Sequence, residues 1–398
     1  MSKEGSAISG QLVCVEAADD DLWQQFDALA TRSYGHPIAD ITHLRPHADL
    51  QVATRDGRVI AGGLGLLVPQ YFGGRPVPSA CLAAGCVAPE ERGQHLAADM
   101  ATQRLRALQE QGAVISAIST SSNGYARTMG WEAPTHVFAW TIPAEDLKNS
   151  FPTGTIEIDH GLTPDAINLQ HDLARHWNGP IHRPDWWTSW KQTKTNLTTY
   201  RFHPPGQPIT GLLSYATNRR EQHGMNLTVH DFWAADTNTA EAMLAFLGHH
   251  NTRADTIEFR RGALPPQPLL LHNLHRYRAQ AQAWHPWMLR ILNIPEALRL
   301  RGWPPNLDTT LPIEIENEHD NTTQRYLLQI TAGTAELTPT HTPTKISLTR
   351  RQLAAWYAGS YRTTTTAHLS GIHTDSDETL ATLIHTTTNH EPWLPDHF

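Results

Sequence analysis

Gly85-Cys86-Val87-Ala88-Pro89-Glu90-Glu91-Arg92-Gly93-Gln94-His95-Leu96-Ala97 is the stretch on which the reading of this chain turns. An apolar, β-like run, Pro78 to Val87, leads into it, and a helical run, Leu96 to Gln111, leads out. Leu96, Met100, Leu105 and Leu108 recur at roughly helical spacing, and Gly112 supplies a stop. The order is strand, short loop, helix. On the N-terminal side, Leu12–Val15 reads as a short strand. Asp19 to Asp21 then place negative charge at the start of an amphipathic run, Leu22 to Tyr34, as a helix macrodipole favours. Gln51–Thr54 and Val59–Val68 flank Arg55-Asp56-Gly57-Arg58, and Asp-Gly suits the tight turn of a hairpin. Val114–Ser119 is another strand. Residues 11 to about 148 thus form one α/β unit.

Two further units follow. The second, about 149 to 287, holds a helix over Pro164–Trp177 and an aromatic cluster, Trp186-Trp187-Thr188-Ser189-Trp190. Strands near Ile209–Ala216 and Leu227–Ala234 precede a helix, Thr239–Leu247. The third opens near Trp287 with the strand Met288–Asn293. Ile294-Pro295-Glu296-Ala297-Leu298 starts a helix, with proline where a missing N–H costs nothing. Leu311–Glu316, Tyr326–Thr331, Ala335–Thr338 and Lys345–Leu348 alternate like strands, and Thr349–Tyr357 reads as helical.

Composition narrows the class. With 398 residues the chain exceeds one ordinary core. A net charge of −8 argues against a nucleic-acid partner, whose protein footprint is usually basic, and is compatible with cationic small substrates. Three cysteines, Cys14, Cys81 and Cys86, make neither a disulfide framework nor a CxxC pair. The N-terminus lacks an apolar signal core and no run of 18 apolar residues occurs, so a reduced, cytoplasmic setting without membrane attachment is expected. The sequons at Asn196, Asn226 and Asn321 are then chance matches. The 24 histidines are compositional bias rather than metal ligands. His272 and His275 lie three apart in an expected helix without an acidic partner at zincin spacing, and His171 and His176, five apart, point away from each other.

Four segments carry a resemblance to a known family: Gly85–Ala97; Pro184-Asp185-Trp186-Trp187; Trp287-Met288-Leu289-Arg290-Ile291-Leu292-Asn293-Ile294-Pro295-Glu296-Ala297-Leu298; and the final Pro392-Trp393-Leu394-Pro395-Asp396-His397-Phe398. In this order and spacing they resemble the Eis (enhanced intracellular survival) type of GNAT N-acetyltransferase. The resemblance implies a mixed α/β fold: a GNAT domain over 1–148, a second GNAT-like domain over 149–287, and a sterol-carrier-like domain over 288–398. It also implies a cytoplasmic homo-oligomer, a trimer or a hexamer of paired trimers. The activity implied is transfer of an acyl group, by default acetyl, from a coenzyme A thioester to a primary amine of a small molecule, such as an antibiotic or other secondary metabolite.

The same resemblance assigns roles. Gly85, Cys86, Val87 and Ala88 form the pantetheine strand, and Arg92, Gly93, His95 and Leu96 the pyrophosphate loop. There the helix N-terminus favours an anion by about 0.3–1 kcal/mol. Ser121 aligns with a cofactor-contacting serine. The α-carboxylate of Phe398 takes the amine proton; its ordinary pKa of about 3.3–3.7 keeps it anionic, and partial burial would make it a better base. Two positions depart from the family pattern. His95 replaces the central glycine of the phosphate loop. Four residues before Gly130-Trp131 stands Ala126 rather than the tyrosine that protonates the leaving thiolate. Tyr125 would serve if the helix carried an extra residue or a π-bulge; otherwise it is a core tyrosine. These departures leave open a carrier-protein phosphopantetheine or an aminoacyl-tRNA as donor, or a ligand-binding descendant without transfer activity, using Trp186, Trp187 and Trp190.

Overall fold

A computed structural model describes residues 12–15, 19–35, 41–195, 197–219, 224–266, 268–317, 322–374 and 376–398. The sequons at Asn196 and Asn321 lie outside them, as does the N-terminal stretch. Asn226 lies in a strand, Met225–Ala234. The chain divides into two compact units: residues 1–67 and 78–118 with Phe398, and residues 68–77 with 119–397.

The first unit contains β1 (Leu12–Val15), α1 (Asp20–Tyr34), β2 (Asp49–Arg55), β3 (Arg58–Leu67), β4 (Ser79–Val87), α2 (Leu96–Glu110) and β5 (Ile115–Ser119, of which Ser119 belongs to the second unit). These strands lie in the order β1-β2-β3-β4-β5, antiparallel except for the parallel pair β4–β5. Asp19 caps α1 by accepting from the Leu22 N–H at 2.9 Å, and Gly35 closes it in the left-handed conformation. The helix buries Trp23, Phe26, Leu29 and Ala30. α2 buries Leu96, Met100, Leu105 and Leu108 against the sheet. The expected strand–loop–helix order is present, and the expected hairpin turns at Asp56-Gly57.

In the second unit a seven-stranded sheet runs Gln280–Ala283, Phe138–Pro143, Ala254–Phe259, Met225–Ala234, Gly211–Arg219, Thr198–His203, Glu157–His160. Met225–Ala234 and Ala254–Phe259 are parallel, with the helix Thr237–Gly248 in the crossover between them. Met243, Leu244, Leu247, Leu213, Val229 and Phe259 fill that core. A smaller sheet runs Thr334–Pro339, Thr323–Thr331, Thr309–Glu316, Ser347–Leu348. The helix Arg350–Ala358 follows it, opened by a capping box between Thr349 and Gln352. The segment Val68–Val77, between β3 and β4 in sequence, pairs with residues 179–182: Tyr71 exchanges backbone hydrogen bonds with Pro180 and Gly179 at 2.8 and 2.7 Å. Among the described residues no helix is long and apolar enough to cross a membrane.

Two local expectations are corrected. The helix expected over Pro164–Trp177 ends at Ala174, and Trp177–Asn178 is instead a strand parallel to Glu391–Pro392. His176 is therefore outside the helix, and His171 stacks near His182 with ring centroids 4.7 Å apart. His272 and His275 lie beyond the short helix Pro268–Leu271, not within a helix.

Candidate active site

The β3–β4 ladder is irregular at one point. Gly62 faces Cys86 and Leu64 faces Ala83, so Ala84 and Gly85 together oppose Gly63. Ala84 has φ 50°, a left-handed conformation that bends β4; the strand is buried from Ser79 to Ala83, and beyond the bend Gly85 is exposed between half-buried Ala84 and Cys86. Arg104 explains the bulge. It lies on the apolar stripe of α2, four positions after Met100, and is 6% exposed. Its guanidinium donates to the carbonyls of Leu64 and Ala83 at 3.3 and 3.2 Å and, through Nε, to Met100 at 3.3 Å. Gly63 makes room for it, because a Cβ there would fall 2.2 Å from the Arg104 Nη1. The Tyr34 hydroxyl donates to the Gly85 carbonyl at 2.7 Å from the other side. Cys86 stands next in the strand. Burial pushes its thiol up to about 11, against the opposing pull of Ser33, Arg104 and Arg32. It is neutral at physiological pH, which does not suit a nucleophile.

Pro89–Glu91 form a single 3₁₀ turn after Ala88. Glu91 meets Arg55 at 2.5 Å, and Glu90 meets Arg58 at 2.6 Å. The hairpin arginines thus neutralise the loop carboxylates. Arg92, Gly93 and His95 are exposed. Gly93 takes φ 86°, and His95 takes φ 61° at the N-cap of α2 without a side-chain cap. The first-turn N–H groups of a helix have no intrahelical acceptor, and together with the dipole they suit an anion. His95 therefore adopts the backbone that a glycine would supply, while its imidazole adds bulk at the loop.

Ser121 and Tyr125 belong to the second unit. Ser121 is exposed. Tyr125 sits on the helix Asn123–Thr128 and is 37% exposed, so it is not a core tyrosine. Ala126 is the buried residue at that turn. The helix ends in a Schellman motif: the Trp131 N–H reaches the Ala126 carbonyl at 3.1 Å, the Gly130 N–H reaches Arg127 at 3.1 Å, and Gly130 has φ 88°. That ending accounts for the Gly130-Trp131 pair without a π-bulge.

The tail is docked in the second unit. Trp393 packs edge-on against Trp177 and tilted against Trp233, with centroids 5.0 and 4.8 Å away, and its Nε1 donates to the Gly262 carbonyl at 2.6 Å. Asp396, its side chain fully buried, meets the Arg183 guanidinium at 2.8 Å. Arg183 also holds Asp231 at 2.6 Å, and Lys191 reaches Asp231 at 2.9 Å and Asp396 at 3.6 Å. Burial alone would raise the Asp231 carboxyl, but Arg183 and Lys191 outweigh it and hold the group far below the usual carboxylate range. Nothing in sequence spacing joins these residues. Arg104 did carry a signal, a cation in register with an apolar helical stripe.

Comparison with known proteins agrees with this anatomy. Residues 15–133 and 179–291 each match an acetyltransferase (GNAT) domain, and 294–395 match a sterol carrier protein domain. The N-acetyltransferase Eis of Mycobacterium bovis is 25% identical over 381 residues, covering 89% of this chain and 85% of that protein. The chain is a homologue of the Eis N-acetyltransferases. Its fold is the mixed α/β arrangement of two GNAT domains and a C-terminal sterol-carrier-like domain. A GCN5-related N-acetyltransferase from Anabaena variabilis has the same fold, with TM-score 0.85, 21% identity, and 98% and 100% of the two chains covered. Eis1 from Mycobacterium abscessus superposes with TM-score 0.73 at 17% identity, covering 97% and 100%. An acetyltransferase of GNAT type follows, and its GNAT domains imply an acetyl-CoA-type co-substrate.

Proposed function

We propose that this protein transfers an acetyl group from acetyl-CoA to a primary amine of a small molecule, with the α-carboxylate of Phe398 as the base. The observation that carries the reading is the docked tail. Residues up to Asp396 are held by the Arg183 ion pair and the Trp393 indole hydrogen bond, two positions short of Phe398. Fixing the tail removes the fraying that makes most chain ends inert.

In this scheme the backbone of Gly85 to Ala88 holds pantetheine, and the N-terminus of α2, with Arg92 and Gly93, takes the pyrophosphate. Ser121 contacts the cofactor. The amine loses its proton to the Phe398 carboxylate, directly or through water, and attacks the thioester carbon. Orientation at close range supplies much of the rate. The C–S bond then breaks, and Tyr125, an exposed phenol where Ala126 cannot serve, protonates the thiolate. The three-domain division at 148 and 287 and a homo-oligomer, trimer or hexamer, belong to the same proposal; light scattering decides the latter. A carrier-protein phosphopantetheine is the second reading for the donor, favoured by the imidazole of His95 at the loop, since a single phosphodiester demands less of that loop.

Acetyl-CoA at 100 times its dissociation constant should stabilise the protein in a melt by about 2.7 kcal/mol. A variant extended by one residue beyond Phe398 should keep that protection and lose turnover. Full turnover in the extended variant would remove the carboxylate from the scheme, and no protection by any coenzyme A thioester would remove coenzyme A as donor.

A further inference from the structure

Beside the docked tail the second unit has a cleft lined by Lys191, His230, Arg260, Arg261, Asp396 and His397, with Trp187 and Trp190 in its wall. A concave, partly enclosed polar site of this kind suits a small ligand. Its charge indicates which kind. Asp231 and Asp396 are balanced by Arg183 and Lys191 in the buried quartet. Arg260 and Arg261 stand outside that balance: among the described residues neither has a carboxylate partner. Arg260 is exposed and Arg261 half-buried. The Arg261 guanidinium lies over the Trp284 ring, 5.2 Å from its centroid, and its buried Nε has no hydrogen-bond partner. Burial and the neighbouring Arg260 lower its pKa to about 10, so it stays charged at neutral pH.

The backbone aims this cation. Arg261 has φ 48°, a region a non-glycine residue occupies at a cost on the order of 1–3 kcal/mol unless its surroundings enforce it. The next residue, Gly262, accepts the Trp393 indole hydrogen bond, so the docked tail holds the turn. Two adjacent guanidinium groups without acidic partners, one of them partly desolvated, form a site that an anion relieves. The overall charge of −8 would suggest a cationic ligand, but the local charge is opposite.

We propose that this cleft binds the anionic group, carboxylate or phosphate, of a small molecule, with Arg260 and Arg261 taking the anion. The biological meaning rests on the acyl-transfer reading: the acceptor amine bears such an anion, placed next to the residue that precedes Phe398.

The test is calorimetric titration of the full chain with benzoate, phenyl phosphate and benzylamine, three ligands on one ring. At least one anion should bind tenfold more tightly than benzylamine, about 1.4 kcal/mol. Binding by benzoate alone or phenyl phosphate alone supports the site and names the anion. Arg260→Gln and Arg261→Gln should each weaken the anion severalfold. Arg260 is exposed, so its replacement leaves the core intact should Arg261→Gln fail to fold. Benzylamine binding as tightly as the anions, no anion binding up to the solubility limit, or unaltered affinity in folded Arg260→Gln would overturn the proposal. No step of this experiment uses acetyl-CoA. Absence of acetyl-CoA protection in the same samples would count against the acyl-transfer reading and leave the anion site standing.

Discussion

Arg183 and Asp396 are 213 positions apart in sequence, yet their side chains meet with the Arg183 Nε 2.9 Å from the Asp396 carboxylate, 5% and 0% exposed. The pair ties the end of the chain to a segment near its middle. Such buried pairs contribute less to stability than to placement, but removing one partner strands the other charge.

Arg183→Met should therefore destabilise the protein by about 3–5 kcal/mol, because two buried carboxylates would share Lys191 alone. Urea denaturation measures it. Asp396→Asn keeps an acceptor for Arg183 and should cost less stability while lowering turnover, if the tail places the base. Turnover unchanged in Asp396→Asn would detach the tie from catalysis.

Acid should weaken the fold in two stages. His171 is lowered to about 4, first by burial and then by His182, Arg183 and Arg175; His390 is lowered to about 4, first by burial. The unfolded histidines bind protons at higher pH than the folded ones. Stability should thus fall as pH drops from about 6.5 toward 4. Asp231 is depressed in the fold, so its contribution is full above the unfolded value of about 3.9 and is lost as pH falls below it. Melting temperatures across pH should show both stages, and His171→Gln should flatten the first. A melting temperature level between pH 6.5 and 4 would refute the histidine stage.

Arg104→Leu should collapse the bulge. The loss is about 2–3 kcal/mol of stability, the scale of a charged hydrogen-bonding group removed from the interior. Acetyl-CoA affinity should drop about tenfold, since Gly85 would no longer be held out of the ladder. Arg104→Lys should not restore it, because one ammonium cannot span the carbonyls a planar fork reaches. Rescue by lysine would show that charge, not geometry, holds the strand.

His95→Gly should leave stability nearly unchanged. Relief of about 1–2 kcal/mol of left-handed strain is offset by the greater freedom of glycine in the unfolded chain. Acetyl-CoA should bind more tightly once the imidazole is gone. Equal affinity in titration calorimetry would mean that His95 does not crowd the phosphates.

Much of the fold was legible because it is local. The hairpin at Asp56-Gly57, the helices from Leu22 and Leu96, and the proline-opened helix at Ile294 follow from periodicity and turn chemistry. Asp185–Thr195 is a helix that periodicity does not reveal, since its row of tryptophans reads as a cluster before it reads as a period. The strand Trp177–Asn178 was missed because its partner, Glu391–Pro392, lies more than 200 positions downstream, where periodicity carries no information. The site divides the same way. Gly85, Arg92 and His95 stand in one contiguous motif; Arg104 leaves a faint mark in an apolar stripe; Asp231, Arg183 and Asp396 become a cluster only in three dimensions.

The pairing of Val68–Val77 with residues 179–182 has a consequence for biosynthesis. As the polypeptide leaves the ribosome, this early segment has to wait for partners synthesised more than 100 residues later. Its polar backbone stays hydrated until then, so this segment cannot order before residues 179–182 are made. In a split-protein experiment cut near residue 148, the segment should resist protease only when both fragments are together.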